Sequence, residues 1–385
     1  MSAGGVGQNI AQNMAHLGMP TYLITVYGDD ENGKTLERSC AANNINLDYA
    51  AQLEGRRSST YMFITDDTGD LLVAVNDMEI CKEINPAFLE SRLDFINGAA
   101  ICLLDANLEP ETMAWIGEHV TAPLFGDTVS TVKAHRFDTI LNKMTVLKPN
   151  DLEASVLTGI GIADQYSAGA AAKTLLDRGV KNVFISLGAN GILCARHEND
   201  EYSFKHVPPY RTEIATANGA GDAGMAAITW SFFDNPDRDL EEVGKIAQAA
   251  SSIALECTKA VPDITVERIR KKMSGEIERC STKCVPPEFC YITRPSTIQT
   301  QGEPTMVVKQ IYSLIEYDEA VKPWSWCRQH WTGADAEWWR SGTSRANRTR
   351  APHFRRMQAS WRHLRGHHAD QRSRRDDRAC QRGAA

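Results

Sequence analysis

The chain has 385 residues, of which 42% are hydrophobic, and a formal net charge of −7. A chain of this length and composition can bury one large core without disulfides or metals, and no run approaches the roughly 20 apolar residues of a membrane helix. The first residues lack the charged and apolar regions of a signal peptide, so a cytoplasmic protein with no membrane partner is expected.

Periodicity predicts a chain in which helices and strands alternate. Ile10, Met14 and Leu17 are spaced as one face of a helix. The predicted helices cover 7–17, 86–96, 109–120, 151–157, 167–178, 219–233, 240–256 and 265–273, and the predicted strands cover 22–27, 60–65, 71–76, 100–105, 123–127, 144–147, 182–187, 191–195 and 202–206. Such alternation is typical of parallel strands joined by crossover helices, and it predicts one layered α/β domain over 1–273.

One predicted hairpin interrupts the alternation. The apolar runs 60–65 and 71–76 flank Asp66-Asp67-Thr68-Gly69, a sequence that favours a tight turn. We expect this hairpin, over about 58–78, to project from the sheet as a lid.

The last segment, 274–385, differs in composition from the rest. From 324 onward the chain has 14 arginines, five acidic residues and six of the eight tryptophans, with no Ile or Val, so it cannot build a core. A disordered basic tail and an out-of-frame translation are both compatible with this, and the second is preferred. The Arg- and Trp-rich segment alone suits nucleic acid, but the remaining body carries −16 and argues against it. Cys280, Cys284 and Cys290 lack the paired spacing of a zinc knuckle.

The strongest local motif is Gly219-Ala220-Gly221-Asp222, which opens an apolar helix. Backbone N–H groups at a helix N-terminus are unsatisfied, and small residues let a phosphate approach them, so these residues form a candidate anion hole. Asp222 in the first turn is placed to accept a proton from an attacking hydroxyl. The alternative is an aspartate that only stabilises the start of the helix.

A second glycine-rich turn, Gly4-Gly5-Val6-Gly7, precedes Asn9. Glycines let the backbone wrap a polar ligand, and an asparagine amide can donate to and accept from sugar hydroxyls. The turn lacks the Lys-Ser/Thr ending of a P-loop. A plain helix start is the alternative.

Together, these two motifs resemble the two signatures of the PfkB, or ribokinase-like, family of sugar and nucleoside kinases. The resemblance implies a three-layer α/β/α sandwich with a mainly parallel central sheet and a small β lid, and a kinase that uses ATP and Mg²⁺. The segment 148–153, Lys-Pro-Asn-Asp-Leu-Glu, resembles the family's Asn-x-x-Glu motif, and 186–191, Ser-Leu-Gly-Ala-Asn-Gly, resembles its nucleotide-binding turn.

The resemblance also implies roles for individual residues. The implied catalytic residues are Asp222, Gly219, Ala220 and Gly221; the substrate ligands are Gly5, Asn9, Asn76, Asp77, Asp105 and Asn107; the nucleotide ligands are Asn150, Ser186, Gly188, Gly191, Asn218 and Gly219; and the metal ligands are Glu153 and Asn150. From the residues alone, Asn150 and Glu153 can equally be a helix N-cap and its capping-box partner. The residues at strand ends can equally be ordinary polar terminators.

Less generic strings narrow the resemblance to the pseudouridine kinases of this family. They lie at 5–18, 75–78, 127–134, 147–153 and 247–255. They imply phosphorylation of the 5′-hydroxyl of pseudouridine and a possible homodimer through the lid. The alternatives are another nucleoside, ribose or fructose as substrate, or a catalytically impaired member that only binds.

The chain departs from the family pattern at three places. Family members have a strand and a substrate-holding Asp before the Gly-Gly motif, which here begins just after Met1, so we expect exposed strand edges and an impaired product or an incorrectly assigned start. Thr216-Ala217-Asn218 replaces the usual Asp-Thr-Thr, which argues against a monovalent-cation (K⁺) site. Gly224 lies inside a helix, where glycine costs about 1 kcal/mol relative to alanine.

Overall fold

The computed structural model describes residues 3–65, 71–216, 218–259 and 261–275. The strands are β1 (Thr21–Tyr22), β2 (Val26–Gly28), β3 (Ile45–Asn46), β4 (Ala51–Leu53), β5 (Thr60–Thr65), β6 (Leu71–Asp77), β7 (Cys102–Asp105), β8 (Leu124–Asp127), β9 (Met144–Lys148), β10 (Asn182–Ser186), β11 (Ile192–Glu198) and β12 (Glu201–Val207). The α-helices are α1 (Val6–His16), α2 (Glu31–Ala42), α3 (Pro86–Glu90), α4 (Leu93–Asn97), α5 (Pro110–His119), α6 (Thr131–Ala134), α7 (Asp151–Thr158), α8 (Gln165–Asp177), α9 (Ala220–Asp234), α10 (Leu240–Leu255) and α11 (Val266–Ser274). The interpretations placed on 276–385, including the tail and its three cysteines, lie outside the described residues.

A six-stranded sheet forms the centre of the fold, in the order β12-β11-β10-β9-β8-β7. Strands β7 to β10 are parallel, and β11 and β12 are antiparallel additions at one end. The predicted mainly parallel sheet is therefore confirmed. No helix in the described part of the chain is long and apolar enough to cross a membrane.

Apolar side chains cover both faces of this sheet. Successive residues of a strand point to opposite faces, so Leu124 and Leu147 join one buried cluster while their neighbours Phe125 and Val146 join another. Helices α5, α7 and α8 pack on the first face, and α1, α9 and α10 pack on the second. These helices complete the expected α/β/α sandwich.

The lid is the antiparallel hairpin of β5 and β6, as predicted, with Met62 paired to Val75 and Tyr61 paired to Asn76. Its base is tied to the N-cap of α2, because the Ser58 hydroxyl donates to the Asp30 carboxylate at 2.6 Å. Ser58 Oγ also accepts from the Gly28 N–H at 2.9 Å. A Cβ on Gly28 would lie 2.1 Å from the Arg56 carbonyl oxygen, so this crossing of two backbones requires glycine.

Several elements differ from the prediction. The strand expected over 22–27 is two short strands, β1 and β2, which pair in parallel with β3 and β4. The helix expected over 86–96 is divided into α3 and α4. Helix α2 was not predicted, because only Gly33 and Cys40 are buried on it and two residues do not make an apolar stripe.

A cavity of about 800 Å³ lies beside the outer strand of the sheet. In the described part of the chain β7 pairs with β8 alone, and β1 and β2 pair only with β3 and β4. The cavity is lined by both edges, including residues 101–105 of the sheet side and 19–27 of the other. The backbone edges that face it are therefore free of sheet partners within the described residues.

Candidate active site

The amino end of α9 is built to receive an anion. Gly219 adopts φ +81°, a left-handed conformation that favours glycine, and no side chain caps the helix start. The first-turn N–H groups of an uncapped helix carry the positive end of its dipole. Small residues, Ala220 and Gly221, leave these groups accessible to a phosphate.

Asp222, in the same first turn, is mostly buried and hydrogen-bonded. Its Oδ2 accepts from the Asn9 amide at 2.8 Å. Burial, followed by repulsion from Asp127, raises the pKa of Asp222 to about 7, while the Asn9 hydrogen bond and the Lys148 ammonium oppose that rise. A carboxyl group with a pKa near neutrality is suited to accept a proton from a substrate hydroxyl.

Asn9 reaches Asp222 because α1 packs against α9. Gly5, with φ +112°, turns the chain into α1, so Asn9 lies in the early part of that helix. The sequence predicted Asn9 as a sugar ligand, and the structure shows that its amide donates to the candidate base. Its buried Oδ1 accepts no hydrogen bond from the described residues, so it remains available to a ligand hydroxyl.

Asp105 and Asn107 lie together at the carboxyl end of β7 and line the cavity. Both the backbone N–H and the side-chain amide of Asn107 donate to Asp105 at 2.9 Å. The Lys133 ammonium donates to Asn107 Oδ1 at 3.2 Å. Burial raises the pKa of Asp105, and hydrogen bonds from Asn107 oppose the rise. Oxygen and amide groups at this strand end are placed to contact a polar ligand in the cavity.

The structure does not bring Asn76 and Asp77 to the cavity. Both side chains are exposed on β6. The described residues of the lid region that line the cavity are Ser58, Ser59, Tyr61 and Met78. The sequence missed these four because the alternation of side chains in a hairpin shows two faces without showing which one meets the cavity.

Asn150 and Glu153 form the capping box that was the alternative interpretation. The Asn150 side chain accepts from the Glu153 N–H, and Glu153 Oε2 accepts from the Asn150 N–H, both at 2.8 Å. Glu153 Oε2 also accepts from the Thr128 hydroxyl at 2.6 Å. Burial raises the pKa of Glu153. The described residues contain no cluster of three or more acidic, His or Cys side chains that could chelate a metal by themselves.

Most of the residues expected to bind the nucleotide lie at or just after the ends of β9 and β10. Asn150 forms a bridge with Ser186 at the end of β10. Gly191, with φ +87°, passes so close to β12 that a Cβ there would lie 2.1 Å from the Val207 carbonyl oxygen. Gly188 also has positive φ, +55°, and Asn218 is exposed on the turn before Gly219. The cluster combines backbone turns with polar groups at and after the ends of β9 and β10, and Asn218 directly precedes Gly219 at the start of α9.

Two charged residues also escaped the sequence analysis. Asp127 ends β8 and Lys148 ends β9, and their side chains form an ion pair of 3.0 Å with 9% and 7% exposure, respectively. Both lie inside motif strings, but neither stood out as a site residue. A charged residue at the end of each of two neighbouring buried strands was the signal that could have found them.

A mainly parallel sheet, an uncapped helix N-terminus with a near-neutral carboxyl group in its first turn, and a cavity with polar groups at one end form the arrangement expected of a sugar or nucleoside kinase of ribokinase-like fold. The model of the pfkB family of carbohydrate kinases matches residues 1–266. The chain therefore belongs to the pfkB family, and it is a kinase.

Individual relatives agree with this assignment. The pseudouridine kinase of Escherichia coli K12 is 32% identical over 268 residues, which cover 69% of this chain and 84% of that protein. A putative sugar kinase from Clostridium perfringens has a solved structure with a TM-score of 0.62 and 28% identity, covering 71% of this chain and 85% of that one. A putative ribokinase II from E. coli, solved with ATP and Mg²⁺, has a TM-score of 0.60 at 16% identity, covers 71% and 89%, and shows the same fold.

Proposed function

We propose that this kinase transfers the γ-phosphate of ATP to the 5′-hydroxyl of pseudouridine, with Asp222 as general base. The observation that carries the proposal is the Asp222 carboxyl, whose pKa is raised to about 7, in the first turn of an uncapped helix. A base and an anion site within one helical turn are what phosphoryl transfer to a hydroxyl needs.

The reaction balances with the groups of this site. The 5′-oxygen forms a bond to the γ-phosphorus, the bond from that phosphorus to the bridging oxygen breaks, and ADP leaves with the electron pair. The hydroxyl proton passes to Asp222. The N–H groups of Gly219, Ala220 and Gly221 stabilise the negative charge on the transferring group, and each such donor typically contributes 10²–10³-fold to the rate.

We assign the nucleotide to two turns: the one that follows β10, with Ser186, Gly188 and Gly191, and the one before α9, with Asn218. Asn150 and Glu153 fit a cation that is held mainly by phosphate oxygens and reaches one or two protein oxygens through water. A Mg²⁺ ion held there would supply positive charge to the nucleotide phosphates. The putative ribokinase II from E. coli solved with ATP and Mg²⁺ supports the choice of this nucleotide and this metal.

The ribose is assigned to the cavity beside β7. Asp105, Asn107 and Gly5 line this cavity, and the unpartnered Asn9 Oδ1 can accept from a ribose hydroxyl. Most of the cavity lining is apolar, and the polar groups at the carboxyl end of β7 suit the hydroxyls of a ribose. Contacts from Asn76 and Asp77 stay a prediction.

The 32% identical pseudouridine kinase and the sequence strings support pseudouridine over other substrates. Another nucleoside, ribose or fructose remains the second candidate, because the site residues recognise ribose and phosphate chemistry rather than a base. A panel assay separates them: purified protein with Mg²⁺ and ATP is offered pseudouridine, uridine, adenosine, ribose and fructose. A kcat/KM for pseudouridine at least ten times that for any other acceptor is expected.

Uridine is the matched control, since it differs from pseudouridine only in how the base is joined to the sugar. Equal turnover of the two nucleosides would contradict the assigned substrate and leave the kinase assignment standing. The absence of transfer to every acceptor, with ATP still bound, would instead favour a binding protein without turnover.

We also propose that the lid forms the contact of a homodimer. The proposal follows the family resemblance, and the cross-strand pair Met62 and Val75, 50% and 59% exposed, offers two apolar side chains that a partner would bury. Light scattering should give twice the monomer mass, and a Met62→Lys, Val75→Lys variant should give the monomer mass. A wild-type monomer at micromolar concentration would overturn this contact.

A further inference from the structure

A buried ion pair joins the carboxyl ends of two neighbouring strands. Asp127 and Lys148 are partners in the parallel register of β8 and β9. Lys148 Nζ and Asp127 Oδ2 are 3.0 Å apart. A buried pair of this kind often contributes no more stability than apolar residues of the same size, so stability alone does not account for it.

The Lys148 ammonium of this pair lies beside the amino end of α9. Lys148 Nζ is 3.7 Å from the position that a Cβ on Gly221 would take. Gly221 belongs to the candidate anion hole, so the ammonium lies next to the space assigned to the transferring phosphate. Lysine binds phosphate as a compact point charge.

The anionic end of the pair is fixed by the turn that follows β8. Asp127 Oδ1 accepts from the Val129 N–H at 3.0 Å. Val129 has φ +63°, in the left-handed region that a β-branched residue rarely adopts. In the same turn, the Thr128 hydroxyl donates to the Glu153 carboxylate. Strained backbone of this kind persists where the surroundings hold it, and it clusters at functional sites.

Asp222 faces charged groups from each strand that packs near it. Asp105 on β7 and Asp127 on β8 repel its carboxylate, Lys148 on β9 attracts it, and Asn9 on α1 donates to it. Lys148 is therefore the cation that balances the candidate base, and Asp127 is the group to which that cation is bound.

We propose that Lys148 contacts the phosphoryl group during its transfer, and that Asp127 is a positioning residue that holds the Lys148 ammonium at the anion hole. This inference rests on the proposed role of Asp222. It assigns to the pair a catalytic function that the Gly219–Asp222 and Asn150–Glu153 motifs do not include.

The test compares Lys148→Met and Asp127→Asn with the wild type, using the full chain, Mg²⁺·ATP and pseudouridine or the best acceptor of the panel. We expect kcat to fall about 100-fold in Lys148→Met, because a charged donor to the transferring group is lost. We expect a fall of about 10-fold in Asp127→Asn, because the ammonium remains but is no longer held.

The pH profile separates this role from a structural one. Loss of Asp127 removes a repelling charge and lowers the pKa of Asp222, so the rising limb of kcat/KM moves to lower pH. Loss of Lys148 removes an attracting charge, so the limb moves to higher pH. A residue that only supports the fold would change the amount of active protein and leave both midpoints in place.

Controls keep the result decisive. Wild-type turnover that is lost in Asp222→Asn establishes the proposed function first, and a wild type without turnover overturns both proposals. Exposed Lys181→Met and Asp200→Asn should behave as wild type.

The single variants at 127 and 148 can unfold because one buried charge lacks its partner. In that case the folded double variant, Asp127→Asn with Lys148→Met, decides, and a 100-fold loss of kcat in it supports the inference. Wild-type kcat and an unchanged pH midpoint in these variants would overturn it while the proposed function stands.

Discussion

Strands β8 and β9 and strand β7 lie in one sheet, but their surroundings are packed very differently. Beside β8, a Cβ on Gly126 would lie 2.5 Å from the Phe137 ring and 2.8 Å from Met144. Beside β7, a cavity of about 800 Å³ separates the sheet edge from β1 and β2. The sheet next to the proposed phosphate site is thus tightly packed, whereas the proposed sugar site opens onto empty space. Transfer chemistry depends on fixed dipoles, and substrate entry depends on room.

The largest effect is expected at the packed end, from Asp222→Asn. An amide cannot accept the hydroxyl proton, so kcat should fall by about 10³-fold. ATP affinity, measured by calorimetry, should change by less than a few fold, since Asn is nearly the same size.

Asp237→Asn, on an exposed residue, serves as the matched control and should keep full activity. A variant at position 222 that retains more than a tenth of the wild-type kcat would show that another group accepts the proton.

A pair of glycine substitutions measures the difference in packing directly. Gly126→Ala should lower the free energy of unfolding by about 1–3 kcal/mol, because the core cannot admit a methyl group without shifting Phe137 or Met144. Gly98→Ala, at the cavity, has negative φ and its Cβ would meet no atom closer than 3.5 Å. It should be neutral or raise the free energy of unfolding by about 0.4–1 kcal/mol.

Urea unfolding with equal m-values for the three proteins provides the measurement. Equal destabilisation by the two alanines would mean that the cavity lining at Gly98 is as tightly packed as the core beside β8, and the contrast would be lost.

Asn9→Ala tests the junction between the two regions. The Asn9 hydrogen bond favours the charged form of Asp222, so its loss should raise the pKa of that carboxyl above its value of about 7. The rising limb of kcat/KM, centred near pH 7 in the wild type, should move to higher pH, and kcat/KM at pH 7 should fall about 10-fold.

Gln12→Ala on the same helix is the control, since Gln12 contacts Asn43 rather than Asp222. A lower rate with an unmoved pH midpoint would assign Asn9 to the substrate alone, as the sequence first predicted.

The smallest effect concerns how α9 is held. Gly224 leaves room for the Ser251 hydroxyl, which donates to the Ala220 carbonyl at 2.9 Å, and a Cβ on Gly224 would lie 2.7 Å from Ser251 Oγ. Gly224→Ala alone should be near neutral, because helix propensity gained is offset by a lost hydrogen bond. In the Ser251→Ala background the same change should add about 1 kcal/mol of stability.

Thermal unfolding of the four proteins closes this double-mutant cycle. An equal gain in both backgrounds would mean that Gly224 and Ser251 do not interact.

Most of the described fold was predictable because its signals are local. Buried parallel strands are apolar throughout and helices such as α10 carry broad apolar faces, so their positions were predicted to within a few residues. Helix α2 escaped because it lies near the surface and carries almost no apolar stripe. The strand over 22–27 was predicted as one element because apolar composition does not show where pairing partners change.

The sequence by itself determined the glycine turns, the first turn of α9 with Asp222, and the Asn150–Glu153 motif, since each is set by residues within one or two turns of chain. Only the tertiary structure decided that Asn9 meets Asp222 across 213 positions, that Asp127 meets Lys148, and which side chains line the cavity. The physical reason is that strand register and helix packing, which no local pattern encodes, choose which distant side chains share one buried space.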